Sequence, residues 1–264
     1  TILEVVSRLA ELGFQNNHPL ELFFSTREEV GLLGARAWDP SWSQAECCYV
    51  LDGEGALGDI FTSGPYQNNV IMTCFGRSVH AGISPEDGVS AANMAASLIA
   101  QLPSGRLHER LTCNIGVIES GVAVNVLAPT ATVRAEMRAH DEAELNQMVA
   151  QFKATCVQVE QASRQQYADA RVELECIRKY DGFSVPVEHS VVTRAQEAFR
   201  HITGREACVL SMNIGSDAHV LNQHGIATVV LGMGFHYSHS LGEYVYVDEL
   251  EQVAHWTLQI VNPA

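Results

Sequence analysis

The order in which apolar periodicities change along the chain is what most limits its fold. Over residues 1–66 the pattern alternates between helix and strand. "TILEVVSRLAELG" keeps Ile2, Val5, Leu9 and Leu12 on one helical stripe until Gly13, "LELFFS" reads as a strand, "VGLLGARAW" as a short helix and "CCYVLD" as another strand. Residues 67–178 change style. They run strand "NVIMTCFG", helix "SPEDGVSAANMAASLIAQL" opening at Ser84 and Pro85, strands "LTCNIGVIE" and "TATVRAEMR", a helix from Asp141 and the strand "ARVELECIR". That β-α-β-β-α-β order predicts a ferredoxin-like, four-stranded sandwich. Asp141 with Glu144 three residues later is a capping-box start. In residues 179–264 the α/β rhythm returns, through a helix in "VEHSVVTRAQEAFRHI", the strand "ACVLSM", the loop "NIGSDAH", the strand "IATVVLGMG" and a last helix from Asp248. The expected fold class is therefore α/β, with a larger domain (1–66 and 179–264) interrupted by a small α+β domain (67–178). The chain opens abruptly inside a helix at Thr1, so the larger domain is expected to be incomplete at its N-terminus.

Charge and composition remove several function classes. Lys and Arg number 16 against 31 Asp and Glu, a formal charge of -15 that repels phosphate backbones and leaves no basic stripe for nucleic acid. No apolar run approaches the roughly 18 residues that a membrane span needs, which predicts a soluble protein with no membrane partner. The seven cysteines are an odd number and contain no C-x-x-C pair, arguing against a disulfide framework or a zinc knuckle. They read as reduced core thiols, and with no signal peptide at the start the expected location is cytoplasmic.

Chemistry concentrates around "FFSTREEVGLLGARAWD", where Glu28 and Glu29 stand side by side at the end of a predicted strand. Such a pair is either a solvated acidic loop or a divided task, with one carboxylate holding a metal and the other moving a proton. Asp52 ends "CCYVLD" and His239 lies in the loop after "ATVVLGMG", so all of these positions follow carboxyl ends of predicted strands, where open α/β sheets bind ligands. Glu, Asp and His supply an oxygen and nitrogen set suited to zinc. Each alone has an ordinary reading, with Asp52 in "LDGEG" as a turn former and His239 as a surface or capping residue.

Three blocks, "FFSTREEVGLLGAR", "GRSVHAGISPEDGVSAANMAASLIAQLPSGR...NIGVIESGVAVNV" and "GSDAHVLNQHGIATVVLGMG...HSLGEY", resemble the co-catalytic dinuclear-zinc exopeptidases, and among them the peptidase T-like tripeptide aminopeptidases. The resemblance covers essentially the whole chain in consistent order. It implies a zinc-exopeptidase α/β/α domain interrupted by a ferredoxin-like lid or dimerisation domain, two zinc ions per complete protein (cobalt and manganese being possible substitutes), a short peptide substrate and a homodimer formed through the lid. Residue by residue, it implies Glu28 as general base, Glu29 and His239 as ligands of one metal, and Asp52 as a ligand of the second. It further implies that His80 in "SVHAG" polarises the scissile carbonyl, and that Asn125 in "AVNVL" and Arg138 in "AEMRA" grip the substrate main chain or carboxylate. Asp217 in "GSDAH" reads as support behind the metal ligands or as a helix N-cap.

The sequence also departs from the family pattern. "MNIGSD" stands where relatives commonly carry a glycine-rich loop, and the family's His-x-Asp motif and bridging Asp, which precede the helix that starts at Thr1, are not in the chain. Three of five metal ligands are therefore expected here. Two other functions fit the same scaffold: a deacylase or amidohydrolase of N-acyl amino acids, and a catalytically silent chain serving as a dimerising or binding module.

Overall fold

The computed structural model describes residues 1–15 and 19–263. In chain order the elements are α1 (Ile2–Glu11), α2 (Leu33–Ala37), β1 (Cys47–Gly53) and β2 (Asp59–Gly64), then β3 (Tyr66–Phe75), α3 (Ala91–Gln101), β4 (Gly105–His108), β5 (Leu111–Ser120), β6 (Thr130–Ala139), α4 (Glu142–Arg164) and β7 (Arg171–Tyr180). They continue with β8 (Phe183–Ser184), α5 (Ser190–Thr203), β9 (Cys208–Ser211), α6 (Ala218–Gln223), β10 (Ala227–Gly232) and α7 (Val247–Val261). Two compact units result, one of Thr1–Gly64 with Phe183–Ala264 and one of Pro65–Gly182.

In the first unit, β1 lies parallel to β10, β10 antiparallel to β2, and β2 carries β9 in parallel and β8 in antiparallel pairing. The run "ATVVLG" of β10 is apolar on both faces because both are covered, and Val229, Val230 and Leu231 are fully buried. Against this sheet pack Val191, Ala195 and Phe199 of α5 and Val253, Trp256 and Ile260 of α7. The Trp256 indole N–H, buried among them, donates to the Ala195 carbonyl at 2.8 Å, so the polar edge of the largest core side chain is satisfied. Gly53 closes β1 against the β10 backbone: a Cβ there would stand 2.4 Å from the Leu231 carbonyl oxygen. That approach fixes the strand end that bears Asp52.

Local expectations in this unit need three corrections. "LELFFS" is not a strand. A strand exists by virtue of its ladder, and residues 19–25 pair with no described strand, leaving Leu22 and Phe24 exposed. Strand β2, "DIFTSG", had no expectation attached to it, yet Ile60–Gly64 are buried. The loop "NIGSDAH" continues into α6, a helix of six residues, too short to show a periodicity.

In the second unit the sheet order is β4-β5-β6-β3-β7, antiparallel throughout, with α3 and α4 against the sheet. The strands β5-β6-β3-β7 make the ferredoxin-like arrangement. The fifth strand, β4, corrects the expected count of four; it is a short hairpin partner whose four residues are all exposed. Alternation along β3 and β6 sends Val70, Met72, Cys74, Val133, Ala135 and Met137 into one core with Leu98, Leu145, Phe152 and Val159 of the helices. Helix α3 begins at Ala91, where the Ser90 hydroxyl caps Asn93 N, and not at Ser84. Ser84 and Pro85 open a separate 3₁₀ turn, Pro85–Asp87, which ends at Gly88 in extended conformation; a Cβ on Gly88 would lie 2.3 Å from Val79 Cγ2. Asp141 caps α4 by accepting from Ala143 N and Glu144 N, while the Glu144 carboxylate lies 3.3 Å from His108 Nε2.

All seven cysteines are free. Cys74, Cys113 and Cys156 are buried as expected, whereas Cys176 and Cys208 are exposed, so the reading of every thiol as core holds only in part. Cys176 sits on the edge strand β7 and Cys208 starts β9. Among the described residues no helix is long and apolar enough to cross a membrane.

Candidate active site

Glu28 and Glu29 lie in a tight turn between the irregular segment 19–25 and α2. Arg27 (φ 58°) and Leu32 (φ 60°) bracket it in the left-handed region that disfavours side chains, with Gly31 (φ 111°) between them. The Glu28 carbonyl accepts from Gly31 N at 3.0 Å and Leu32 N at 2.8 Å, and Gly34 N donates to the Thr26 carbonyl at 2.8 Å. Gly34 is obligatory here, because a Cβ would sit 2.4 Å from both Thr26 N and Thr26 O. Leu32, buried, anchors the turn from below.

Asp52 projects from the end of β1, held by the close approach of Gly53. His239 sits at the tip of a loop whose neck is closed by mutual backbone hydrogen bonds between His236 and Tyr244, at 2.9 and 3.1 Å. The His236 ring stacks on Tyr244 (4.7 Å, 15°), and its Nε2 lies 3.1 Å from the Glu249 carboxylate on α7. At the tip, His239 has φ 61° and its backbone N–H donates to the Glu243 carboxylate at 2.8 Å. Its Nε2 is 3.8 Å from Glu29 Oε1.

Asp217 stands where α6 begins but makes no side-chain cap. The N-cap reading is thereby replaced: its Oδ2 accepts a short hydrogen bond from the Ser25 hydroxyl, and its Oδ1 is buried with no hydrogen-bond partner among the described residues.

The carboxylates act on one another. Partial burial pushes Glu28 up to about 7, with Asp52, Glu29 and Asp217 adding to the rise and His239 opposing it. Asp52 is raised by burial and then by Glu29 and Asp217, again opposed by His239. Asp217 is raised by burial, offset by its bond from Ser25. A group with a raised folded-state pKa contributes stability that is complete below its unfolded value, 4.5 for Glu28, and lost as pH rises through about 7. The metal-free chain is therefore expected to lose stability between pH 5 and 8, and Glu28→Gln should remove part of that loss. After discounting for solvent screening, the variant should gain about 1 kcal/mol at pH 8 and little at pH 5. Thermal unfolding in chelator at both pH values measures it, and an equal difference at the two would refute the assignment.

Glu29 and His239 fit one edge of a zinc site. Two ligand atoms about 2.0 to 2.1 Å from a tetrahedral ion stand about 3.4 Å apart, close to the 3.8 Å observed, and both side chains are about 70% exposed and so open to an ion. Among the described residues no group of three or more His, Cys, Asp or Glu side chains is gathered tightly enough to hold a metal. The residues expected to be ligands thus supply a facing pair, Glu29 with His239, and a separate carboxylate, Asp52.

The candidates in the second unit fall at two places. His80 and Asn125 come together: His80 pairs with Val126 across an isolated bridge, Ala81 N donates to the Asn125 carbonyl at 3.0 Å, and both residues are exposed. Arg138 lies toward the other end of β6, opposite Gln67, whereas the loop bearing His80 leaves β3 at Phe75, opposite Thr130. Eight residues of strand separate those ends by roughly 26 Å. The Arg138 guanidinium is held by Glu136, with Nε at 3.2 Å and Nη2 at 3.1 Å from its two oxygens.

Comparison with known proteins places this geometry in a family. Residues 68–162 match the M20 peptidase dimerisation domain. The chain is 33% identical, over 100% of its own length and 69% of the relative's, to the uncharacterised protein YqjE of Bacillus subtilis (strain 168). The crystal structure of aminopeptidase PepT from Bacillus cereus ATCC 10987 superposes with a TM-score of 0.86 at 31% identity, covering 99% of this chain and 68% of that one. A tripeptidase from Staphylococcus aureus gives a TM-score of 0.91 at 28% identity over the same shares. The chain belongs to the M20 family of dinuclear metallopeptidases, which are hydrolases, and within it is peptidase T-like. It spans about two thirds of the length of these relatives.

Proposed function

We propose that this chain forms the greater part of a zinc-dependent aminopeptidase that hydrolyses tripeptides and other short peptides. The observation that carries the proposal is the division of the adjacent carboxylates. Glu29 faces His239 at 3.8 Å, while Glu28 is half-buried and poised near neutrality. Glu29 and His239 would hold one metal and Asp52 would contribute to the second. When bound, zinc acidifies a water and polarises the scissile carbonyl. Glu28, half-buried beside the proposed ligand Glu29, would take the proton from such a water and pass it to the leaving amine. His80 and Asn125, brought together on one loop pair, would contact the carbonyl and main chain of the peptide; Arg138, oriented by Glu136 and about 26 Å of strand away, would grip the carboxylate of a different peptide from the one His80 contacts. The free thiols support a reducing, cytoplasmic setting.

The test is release of free amino acids from a panel of tripeptides by the full-length protein, with zinc, cobalt or manganese added after chelation. N-terminal release from tripeptides supports the reading. Hydrolysis confined to N-acyl amino acids would identify the deacylase alternative, and turnover of neither class would leave the binding-module reading.

A homodimer follows from the dimerisation domain, and we place its contact at the edge of β5. Strand β4 covers only Leu111–Cys113 there, and among the described residues no strand pairs with the rest of that edge, beside exposed Val117 and Ile118. Ile118→Lys is expected to convert the dimer to monomer at about 10 µM, a range typical of transient association. Sedimentation equilibrium measures it, and a dimer undisturbed by the charge would move the interface elsewhere.

A further inference from the structure

Strain in the Glu28–Glu29 turn raises the question of what holds it. On its downstream side stand buried Leu32, helix α2 and the hydrogen bond from Gly34 N to Thr26 O. On its upstream side residues 19–25 belong to no ladder, and Arg27, in left-handed conformation, does not hold itself there. Further up that arm Glu21 accepts from Gln44 N at 2.8 Å and the Phe23 ring meets Trp38 at 5.6 Å, and Ser25 is the polar tie nearest the turn. Its hydroxyl donates to Asp217 Oδ2, 192 residues away in sequence, at the N-cap position of a helix whose Ala218, His219, Val220 and Leu221 are all buried.

Asp217 is a costly choice for a merely structural tie. The residue is 7% exposed, burial raises its pKa, and Oδ1 has no hydrogen-bond partner among the described residues. A neutral Asn or Ser would make the same bond without burying a charge. Although it occupies the N-cap position, it returns nothing to the helix as a cap.

We propose that Ser25 and Asp217 form a latch that fixes the Glu28–Glu29 turn, so that Asp217 is a positioning residue of the proposed peptidase site. The inference rests on the roles assigned above to Glu28 and Glu29. The latch clamps the arm entering the turn to α6, while Gly34 and Leu32 clamp the arm leaving it. Between the two clamps the neighbouring carboxylates keep separate places, Glu29 facing His239 and Glu28 half-buried and close enough to Asp52 for the two charges to repel. Without the latch, the entering arm swings, Arg27 relaxes to a right-handed or extended conformation, and both carboxylates lose their places together.

Amide hydrogen exchange on the full chain in chelator tests the latch without any metal. Ser25→Ala is expected to accelerate exchange at Gly31, Leu32 and Gly34 by about tenfold or more while leaving Val253–Ile260 of α7 unchanged, and Ser25→Thr, which restores a hydroxyl, should restore the rates. Asp217→Leu should accelerate the same three amides, and the double variant should be no faster than either single one. Should Asp217→Leu fail to fold, the Ser25 pair alone decides. Uniform acceleration through α7, or no change at the three amides, overturns the latch. A parallel titration of the full-length protein with Co²⁺ should show about tenfold weaker binding for Ser25→Ala and recovery for Ser25→Thr; equal Co²⁺ affinity in all three proteins would overturn the positioning role. If the unmodified protein binds no Co²⁺, the peptidase reading fails, while the exchange pattern still decides whether the latch exists.

Discussion

Glu28→Gln in the full-length, metal-loaded protein is expected to lower kcat for a tripeptide by about 10² to 10⁴, with little change in KM if chemistry is slow relative to substrate release. The size of the side chain is preserved, and the turn keeps its backbone bonds at Gly31, Leu32 and Gly34, so geometry is not what is lost. What is lost is the carboxylate proposed to carry the proton; in the metal-free chain its pKa is pushed up to about 7. Burial contributes most to that rise, followed by Asp52, Glu29 and Asp217. Steady-state kinetics with parallel metal analysis measures the effect. Unchanged turnover would return the acidic pair to the role of a solvated loop.

The part of this organisation that the sequence reveals is the part governed by local periodicity. The unbroken apolar run of β10 and the strict alternation of β3 and β6 reflect burial on two faces and on one, and each is legible because its partners are rich in apolar residues on the facing side. "LELFFS" has the same apolar character and is not a strand, since pairing is a property of two segments and only one of them is in view. Strand β4 leaves no apolar pattern in the sequence, because all four of its residues are exposed and it exists as a hairpin partner of β5. For helix α6, six residues are too few to display a period.

The site is less legible still. Glu29 and His239 lie 210 positions apart (239 minus 29), and no local pattern announces that their side chains face each other. Only the resemblance of the blocks around them suggested the pairing. The Ser25–Asp217 bond had no counterpart in the sequence reading, where Asp217 could as well have been a helix cap, because a serine before a turn and an aspartate before a helix both have ordinary local uses.

Glu29→Gln should fail in a different way from Glu28→Gln, and the contrast separates the two adjacent roles. An amide is a poor substitute for an anionic zinc ligand, so the full-length variant should lose metal affinity by at least about 10²-fold and lose activity with it. His239→Ala is expected to do the same, because Nε2 and Glu29 Oε1 are the facing pair that spans one ion. The two losses should be non-additive in the double variant, since the first substitution already empties the site that the second would weaken. Added zinc should partly restore turnover to Glu29→Gln, by mass action on a weakened site, and should do nothing for Glu28→Gln, whose ligands are intact and whose defect is in proton transfer. Metal content after desalting, measured alongside activity across a zinc titration, reads both effects. If Glu28→Gln empties the site and Glu29→Gln leaves it filled, the roles are exchanged. The exposure of the two residues argues against that outcome: the Glu29 side chain is 74% exposed and faces the imidazole, as a ligand reaching an ion must, whereas Glu28 is held back in the more buried position that raises its affinity for a proton.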